Sequence, residues 1–331
     1  MEELMTVLKK VLVMDVEDYR EMYCEGDKFK ASREIKKLVE EGIVRTAGHP
    51  EDGRKRCMIL TMKGARELGL DVETSRQVIK KEQLGWGIAK SKLYFRIGQA
   101  GIPANNLLSR KDALEKYNLR ANETILAWVI EEPGPYALYV PWKTRYKGWI
   151  MQSINKTEGQ TKVFKGHILV HETKERWRQD RRRFLNGSPA GQFYLMTYEH
   201  LGLMKKGPGE MMREVEEMFQ AIAPGGELKA ALPGTPLDMV YERRGEMLVG
   251  DMRMEDITLA ARVLNLTNER LRGYNGVTLV MRDEAQVKEW ARVFGCWNKL
   301  WYLAETTLSL YRYDGKRLQV VGGKKHERIA Q

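Results

Sequence analysis

Between Val13 and Leu68 the chain reads VMDVEDYREMYCEGDKFKASREIKKLVEEGIVRTAGHPEDGRKRCMILTMKGAREL. Few folds satisfy that order of signals. Asp15 is placed to cap a short helix over Val16 to Cys24, and Gly26-Asp27 makes a turn. A second helix is expected from Lys28 to Glu41, stopping at Gly42. Ile43 to Ala47 and Arg56 to Thr61 then read as two short strands. The five turn-forming residues His49-Pro50-Glu51-Asp52-Gly53 lie between them. Helix, turn, helix, hairpin is the order of a winged helix-turn-helix.

The second helix carries two faces. At 100° per residue, Ala31, Ile35 and Leu38 fall together with Val39 beside them, and these are expected to pack inward. Lys30, Arg33 and Lys37 cluster about 130° away and face outward, with Glu34 among them. In a helix-turn-helix the second helix enters the major groove, where Arg and Lys reach base edges or phosphates. Arg54, Lys55 and Arg56 at the hairpin tip are placed to touch an adjacent groove or backbone. Lys28 to Lys63 contains ten basic residues against five acidic ones. The expected partner of Lys30, Arg33, Lys37, Arg54, Lys55 and Arg56 is therefore double-stranded DNA.

The totals agree with an anionic partner: the formal charge is +11 over 331 residues, enough length for two or three domains. Cys24, Cys57 and Cys296 are odd in number and widely spaced, which gives neither a disulfide framework nor a CxxC zinc pattern. The opening MEELMTVLKK is not a signal-peptide pattern, and no run of 18 apolar residues occurs. A cytoplasmic location without membrane association is expected.

Met1 to Met14 reads as the first helix of the N-terminal domain, with Leu4, Leu8, Val11 and Leu12 on one side. Met62 to Leu68 starts a short helix. Val72 to Lys92 reads as a connector broken at Gly85-Trp86-Gly87, and Ser109 to Tyr117 as a helix with Ser109 and Asp112 in a capping box. From Glu123 the texture becomes short strands alternating with helices. Strands are expected at Thr124–Glu131, Tyr136–Val140, Val163–His171 and Phe193–Tyr198, with helices at Tyr146–Asn155 and Lys174–Leu185. After a helix at Glu210–Ile222 and a Gly/Pro-rich linker over 224–236, a second series follows. It comprises Leu237–Glu242 and Met247–Met252 as a hairpin, helix Asp256–Leu271, strand Val277–Met281, helix Glu284–Phe294 and strand Leu300–Ala304. A hairpin of Leu308–Tyr313 and Leu318–Val321 closes it. HILVHETKERWRQDRRRF lies beside TLVMRDEAQVKEWARVF, and FYLMTYEHL beside LWYLAETTL, at an offset of about 110 residues. Two similar halves are expected. The fold class is thus an N-terminal winged helix-turn-helix followed by a mixed α/β region, α+β to α/β in character. Its expected domains are 1–75, a helical connector 76–122, and halves 123–223 and 236–321.

Asp238, Asp251 and Arg253 loosely follow the layout of Mg²⁺-dependent nucleases, in which two carboxylates hold the metal and a Lys helps place the water. Arg stands where Lys is needed, and a planar guanidinium does not replace an ammonium. A salt bridge is the plainer reading, and a nuclease-like sheet without cutting activity is favoured over an active site. His167 and His171 are four apart, but on a strand their rings stand roughly 13 Å apart. Arg176, Arg178, Arg181, Arg182 and Arg183 suggest a second basic surface. Neither a phosphate loop nor a nucleophile elbow is present, so no enzyme, cofactor or metal is expected.

The residues VMDVEDYREMYCEGDKFKASREIKKLVEEGIVRT followed by MILTMKGARELG resemble the replication-relaxation family of plasmids and integrative elements in Gram-positive bacteria. HILVHETKERWRQDRRRF and FYLMTYEHL are similar to that family's strand, basic helix and closing strand. The resemblance implies a non-catalytic DNA-binding protein serving plasmid replication or conjugative transfer, with replication or transfer proteins as further partners. The family's acidic strand pattern is met only loosely by Asp238 and Asp251, so no catalytic role carries over. The alternatives are a transcriptional repressor whose C-terminal domain dimerises or senses a ligand, and a Mg²⁺-dependent nuclease.

Overall fold

Local capping sets the first elements. The computed structural model describes residues 2–50, 52–70, 81–120, 126–141, 150, 152, 154–155, 162–185 and 191–323. Helix α1 (Glu2–Val11) ends where Leu12 takes φ +65°. The chain then turns into a short strand, β1 (Val13–Asp15), so the helix expected to reach Met14 stops three residues early. Asp15 accepts from the Glu17 amide at 3.0 Å and starts α2 (Val16–Tyr23). Asp27 accepts from Phe29 at 2.8 Å and Lys30 at 3.0 Å and starts α3 (Lys28–Glu40). Each Asp satisfies amides that the first helical turn leaves unpaired.

Strands β2 (Val44–Gly48) and β3 (Arg56–Leu60) pair antiparallel, Ala47 opposite Cys57, and β1 adds to the other edge of β3, Val13 opposite Ile59. Helix α4 (Met62–Glu67) follows, capped by Thr61. Helix α5 (Lys81–Gln99) runs straight through Gly85-Trp86-Gly87. The expected break is absent because packing of the helix on its neighbours outweighs the low helix propensity of the two glycines. A Cβ on Gly87 would make ordinary van der Waals contact with Val13, at 3.4 Å, so the approach to β1 does not itself demand glycine there. Leu84 and Ile88 there bury against Val13, Cys57 and Ile59.

Residues Met1–Glu172 with Thr197–Gly202 form one unit, and Thr173–Met196 with Leu203–Gln331 form a second. In the first unit, β4 (Leu107–Ser109), β5 (Trp128–Ile130), β6 (Tyr136–Tyr139) and β7 (Gly166–His171) lie side by side. β4–β5 and β5–β6 are antiparallel and β6–β7 is parallel. Between β4 and β5, Ser109 and Asp112 close the expected capping box on α6 (Arg110–Lys116).

The second unit begins with α7 (Lys174–Leu185) and β8 (Phe193–Thr197, through Met196), then α8 (Pro208–Ile222). Its seven-stranded sheet comprises β9 (Glu227–Ala230), β10 (Met239–Glu242), β11 (Glu246–Asp251), β12 (Tyr274–Met281), β13 (Leu300–Ala304), β14 (Ser309–Tyr313) and β15 (Leu318–Gly323). These lie in sequence order across the sheet. β11–β12 and β12–β13 are parallel, connected by α9 (Ile257–Leu264) and α10 (Glu284–Phe294). The other pairings are antiparallel. β9 arises inside the expected linker, because Leu228 pairs with Tyr241 and fills the core under α8. α9 is shorter than expected, since the Asn265 amide bonds back to the Ala261 carbonyl at 2.8 Å. That bond caps the helix end rather than extending it. Mixed α+β structure with several sheets is therefore present. No helix among the described residues is long and apolar enough to cross a membrane. The expected connector at 72–80 and most of the helix expected at 146–155 lie outside the described residues, as do residues 187–190 of the loop before β8.

Candidate nucleic-acid interface

Helix α3 divides into a packed and an open face. Ala31, Ile35 and Leu38 are buried. Val39, expected beside them, is 41 % exposed and belongs outside. Its position on the wheel lies at the margin of the buried stripe. Arg33, Lys36 and Lys37 are exposed, and Lys30 is half-buried. Lys36 and Lys37 approach Glu40 and Glu41 at 3.7 and 3.8 Å, one turn on. Exposed pairs of this kind are worth a few tenths of a kcal/mol and leave the ammonium groups free to exchange partners.

Glu34 does not stand among the cations. Its carboxylate accepts the hydroxyl proton of Tyr19, a buried residue of α2, and lies 4.0 Å from the Cys24 sulfur. Burial, with Glu34 next, holds the Tyr19 hydroxyl above its ordinary range, so it stays a donor. Burial likewise pushes the Cys24 thiol up. At 100° per residue Glu34 falls midway between Lys30 and Leu38, at the edge of the packed face, and its side chain leans inward to Tyr19. The acid instead ties α2 to α3 and leaves the outer face more cationic than its composition implies.

The hairpin end is fixed by its own backbone. His49 donates to the Lys55 carbonyl at 2.9 Å, and Arg54 to the Asp52 carboxylate at 3.1 Å. Arg54, Lys55 and Arg56 are all exposed, and Arg56 bonds Thr46 across the strands at 3.0 Å. Between helix and hairpin the chain is clamped. Gly42 turns at φ +75°, and the Thr61 hydroxyl donates to the Gly42 carbonyl at 2.5 Å while accepting from Gly64 at 3.0 Å. A Cβ on Gly64 would stand 2.3 Å from the Ile43 carbonyl oxygen. That approach sets how the hairpin leaves α3. Two exposed residues escaped the sequence reading: Arg45 on β2 and Phe29 on α3, the latter 80 % exposed. Helical spacing places Phe29 one turn before Arg33, a signal that a count of charges alone passes over.

Asp238 and Asp251 of the second unit do not converge. Asp238 is held by Arg262 of α9, at 2.7 and 2.5 Å. Asp251 takes two nitrogens of Arg253, at 3.0 and 2.8 Å. The same guanidinium bonds Glu214 of α8 at 2.8 Å, Glu305 at 2.7 Å and the Met211 carbonyl at 3.1 Å. Asp251 shares its sheet face with Val249 and Tyr241, under α8, whereas Asp238 points to α9. Alternation along β10 and β11 therefore puts the two carboxylates on opposite faces, and the layout considered for a shared Mg²⁺ is not formed. Among the described residues, no group of three or more His, Cys, Asp or Glu could hold a metal ion.

The basic helix α7 is not uniformly a surface. Arg181 is buried, its guanidinium 4.5 Å from the Trp177 ring and 5.1 Å from that of Trp290. Arg178 pairs with Glu289. Arg176, Arg182 and Arg183 remain exposed. His167 and His171 lie on β7 and are both buried, His167 meeting the Tyr139 hydroxyl at 3.1 Å. In comparisons with protein-family models, curated proteins and solved structures, nothing matches this chain.

Proposed function

We propose that the N-terminal elements α1 to α4, with β1–β3, form a winged helix-turn-helix that binds double-stranded DNA in a sequence-specific manner. In this reading α3 enters the major groove with Lys30, Arg33 and Lys37, and the hairpin lays Arg54, Lys55 and Arg56 along an adjacent backbone. The observation that carries it is the open face of α3. Arg33 and Lys37 are exposed there while Glu34, next to Arg33 in sequence, is turned onto Tyr19. The net charge of +11 supports the same partner.

The second unit supports a structural rather than a cutting role, since Asp238 and Asp251 are each held by an arginine on opposite sheet faces. Its β10–β11–α9–β12–α10–β13 series repeats the pairing senses of β5–β6–β7, antiparallel then parallel. We read the two series as similar halves. A role as an accessory factor in plasmid replication or conjugative transfer rests on the resemblance of residues 13–46 and 58–69 to the replication-relaxation family. Selection from a randomised duplex pool by the full chain tests the DNA reading. One recurring sequence motif is the expected result. A pool that stays unbound at low salt would contradict it.

A further inference from the structure

Phe29 stands out on the proposed groove-facing helix. Its ring is 80 % exposed, although it lies on a helix whose other large apolar side chains are mostly inside. It precedes Ser32 and Arg33 by one turn and Lys36 by two, and all three are exposed. The phenyl group therefore lies at the N-terminal end of the exposed face, in line with Arg33 and Lys36. It is also the second residue of α3, after the Asp27 cap. In helix-turn-helix docking the N-terminal part of the second helix comes nearest the base edges. A phenyl ring there offers no hydrogen bond. The apolar group that the major groove presents to it is the C5-methyl of thymine.

Resting on the DNA-binding reading above, we propose that Phe29 is a specificity-determining residue that packs on a thymine C5-methyl group in the major groove. Arg33, four residues on, lies about 6 Å further along the helix axis, close to a two-base-pair step. Its guanidinium fits the O6 and N7 acceptors of a guanine. The recognised duplex then carries a thymine and a guanine within about two base pairs of each other. The two contacts differ in kind: the ring recognises shape and a methyl group, and the guanidinium recognises a pair of acceptors.

The test uses the duplex recovered from the randomised pool, prepared once with thymidine and once with deoxyuridine, which keeps the base pair and removes only the methyl. The full chain and its Phe29→Ala variant are titrated with both. The wild-type protein is expected to bind the deoxyuridine duplex about three- to fivefold more weakly, the effect of one buried methyl. Phe29→Ala is expected to bind both duplexes alike. Because Phe29 is exposed, the variant should unfold at the same urea concentration as the wild type, which separates recognition from folding. Equal wild-type affinity for the two duplexes, or a methyl effect that survives in Phe29→Ala, would overturn the assignment of Phe29 and leave DNA binding standing. Loss of self-association in Phe29→Ala with unchanged DNA affinity would overturn it in favour of a second copy of the chain. Failure of the full chain to recover any duplex from the pool would overturn the DNA reading itself, and the assignment with it.

Discussion

The Tyr19 hydroxyl donates to the Glu34 carboxylate, joining the two helices that precede the hairpin. Tyr19 is almost wholly buried, so the bond forms where water competes poorly. Removing it should act twice. Tyr19→Phe is expected to lower stability by about 1–3 kcal/mol, because a half-buried carboxylate loses its partner. It also frees Glu34 to swing toward Lys30 and Arg33, which should weaken DNA binding. Urea denaturation gives the first effect and a binding titration the second. In a double-mutant cycle with Glu34→Ala, a coupling near zero would show that the bond contributes nothing to the helix pair.

Arg33→Ala should weaken binding to the preferred sequence by about 1–3 kcal/mol and relax specificity at one position. Arg54→Ala or Lys55→Ala should weaken binding to all sequences alike. Affinities for matched and scrambled duplexes separate the two patterns. A uniform loss in Arg33→Ala would move that residue from base reading to phosphate contact.

Arg253 is fully buried and bonded to Asp251, Glu214 and Glu305. Breaking such a network leaves carboxylates without compensation. Arg253→Ala should destabilise the second unit by about 3–5 kcal/mol. Replacing Asp251 by Asn should be milder, since Arg253 keeps two acidic partners. Thermal unfolding of the two variants gives the order. Stability of Arg253→Ala equal to that of wild type would mean that the network only balances its own desolvation.

Asp256 caps α9, accepting from Leu259 at 2.9 Å, and burial pushes its carboxyl up to about 6. A folded pKa above the unfolded value of about 3.9 means that the native state binds more protons between those limits. This residue's contribution is therefore complete below about pH 4 and is lost as pH rises through about 6. Asp256→Asn keeps the cap oxygen and removes the charge. It should flatten that part of the stability profile and raise stability at pH 7 by about 2–3 kcal/mol. Chemical denaturation at a series of pH values reads both. An unchanged slope between pH 4 and 6 would show that Asp256 titrates normally in the folded protein.

Much of the local structure was legible because caps and turns are written in single residues. Asp15 and Ser109 each begin the helix expected of them, while Asp27, read as a turn residue, also caps α3. The inner stripe Ala31, Ile35, Leu38 followed from spacing alone. Other features depended on partners distant in sequence. Three residues at Val13–Asp15 carry too little periodicity to announce a strand, and only pairing with β3 makes them one. Gly85 and Gly87 read as a break, but packing of Leu84 and Ile88 on Val13, Cys57 and Ile59 carries the helix through them. The burial of Arg181 needs two tryptophans, Trp177 and Trp290, which lie far apart in the chain. Strand register, invisible in composition, sends Asp238 and Asp251 to opposite faces. Within the proposed interface, charge found Lys30, Arg33, Lys37 and the hairpin cations but could not find Phe29.

The most direct test of the central claim is the affinity of the full chain for its selected duplex across a salt series. If α3 and the hairpin bind the phosphates and bases as proposed, log affinity falls steeply and linearly with log salt. Removing Lys37, Arg54 or Lys55 should then reduce the slope by about one each. Binding with a slope unchanged by these substitutions would place the DNA on another surface. No binding at low salt would contradict the account altogether.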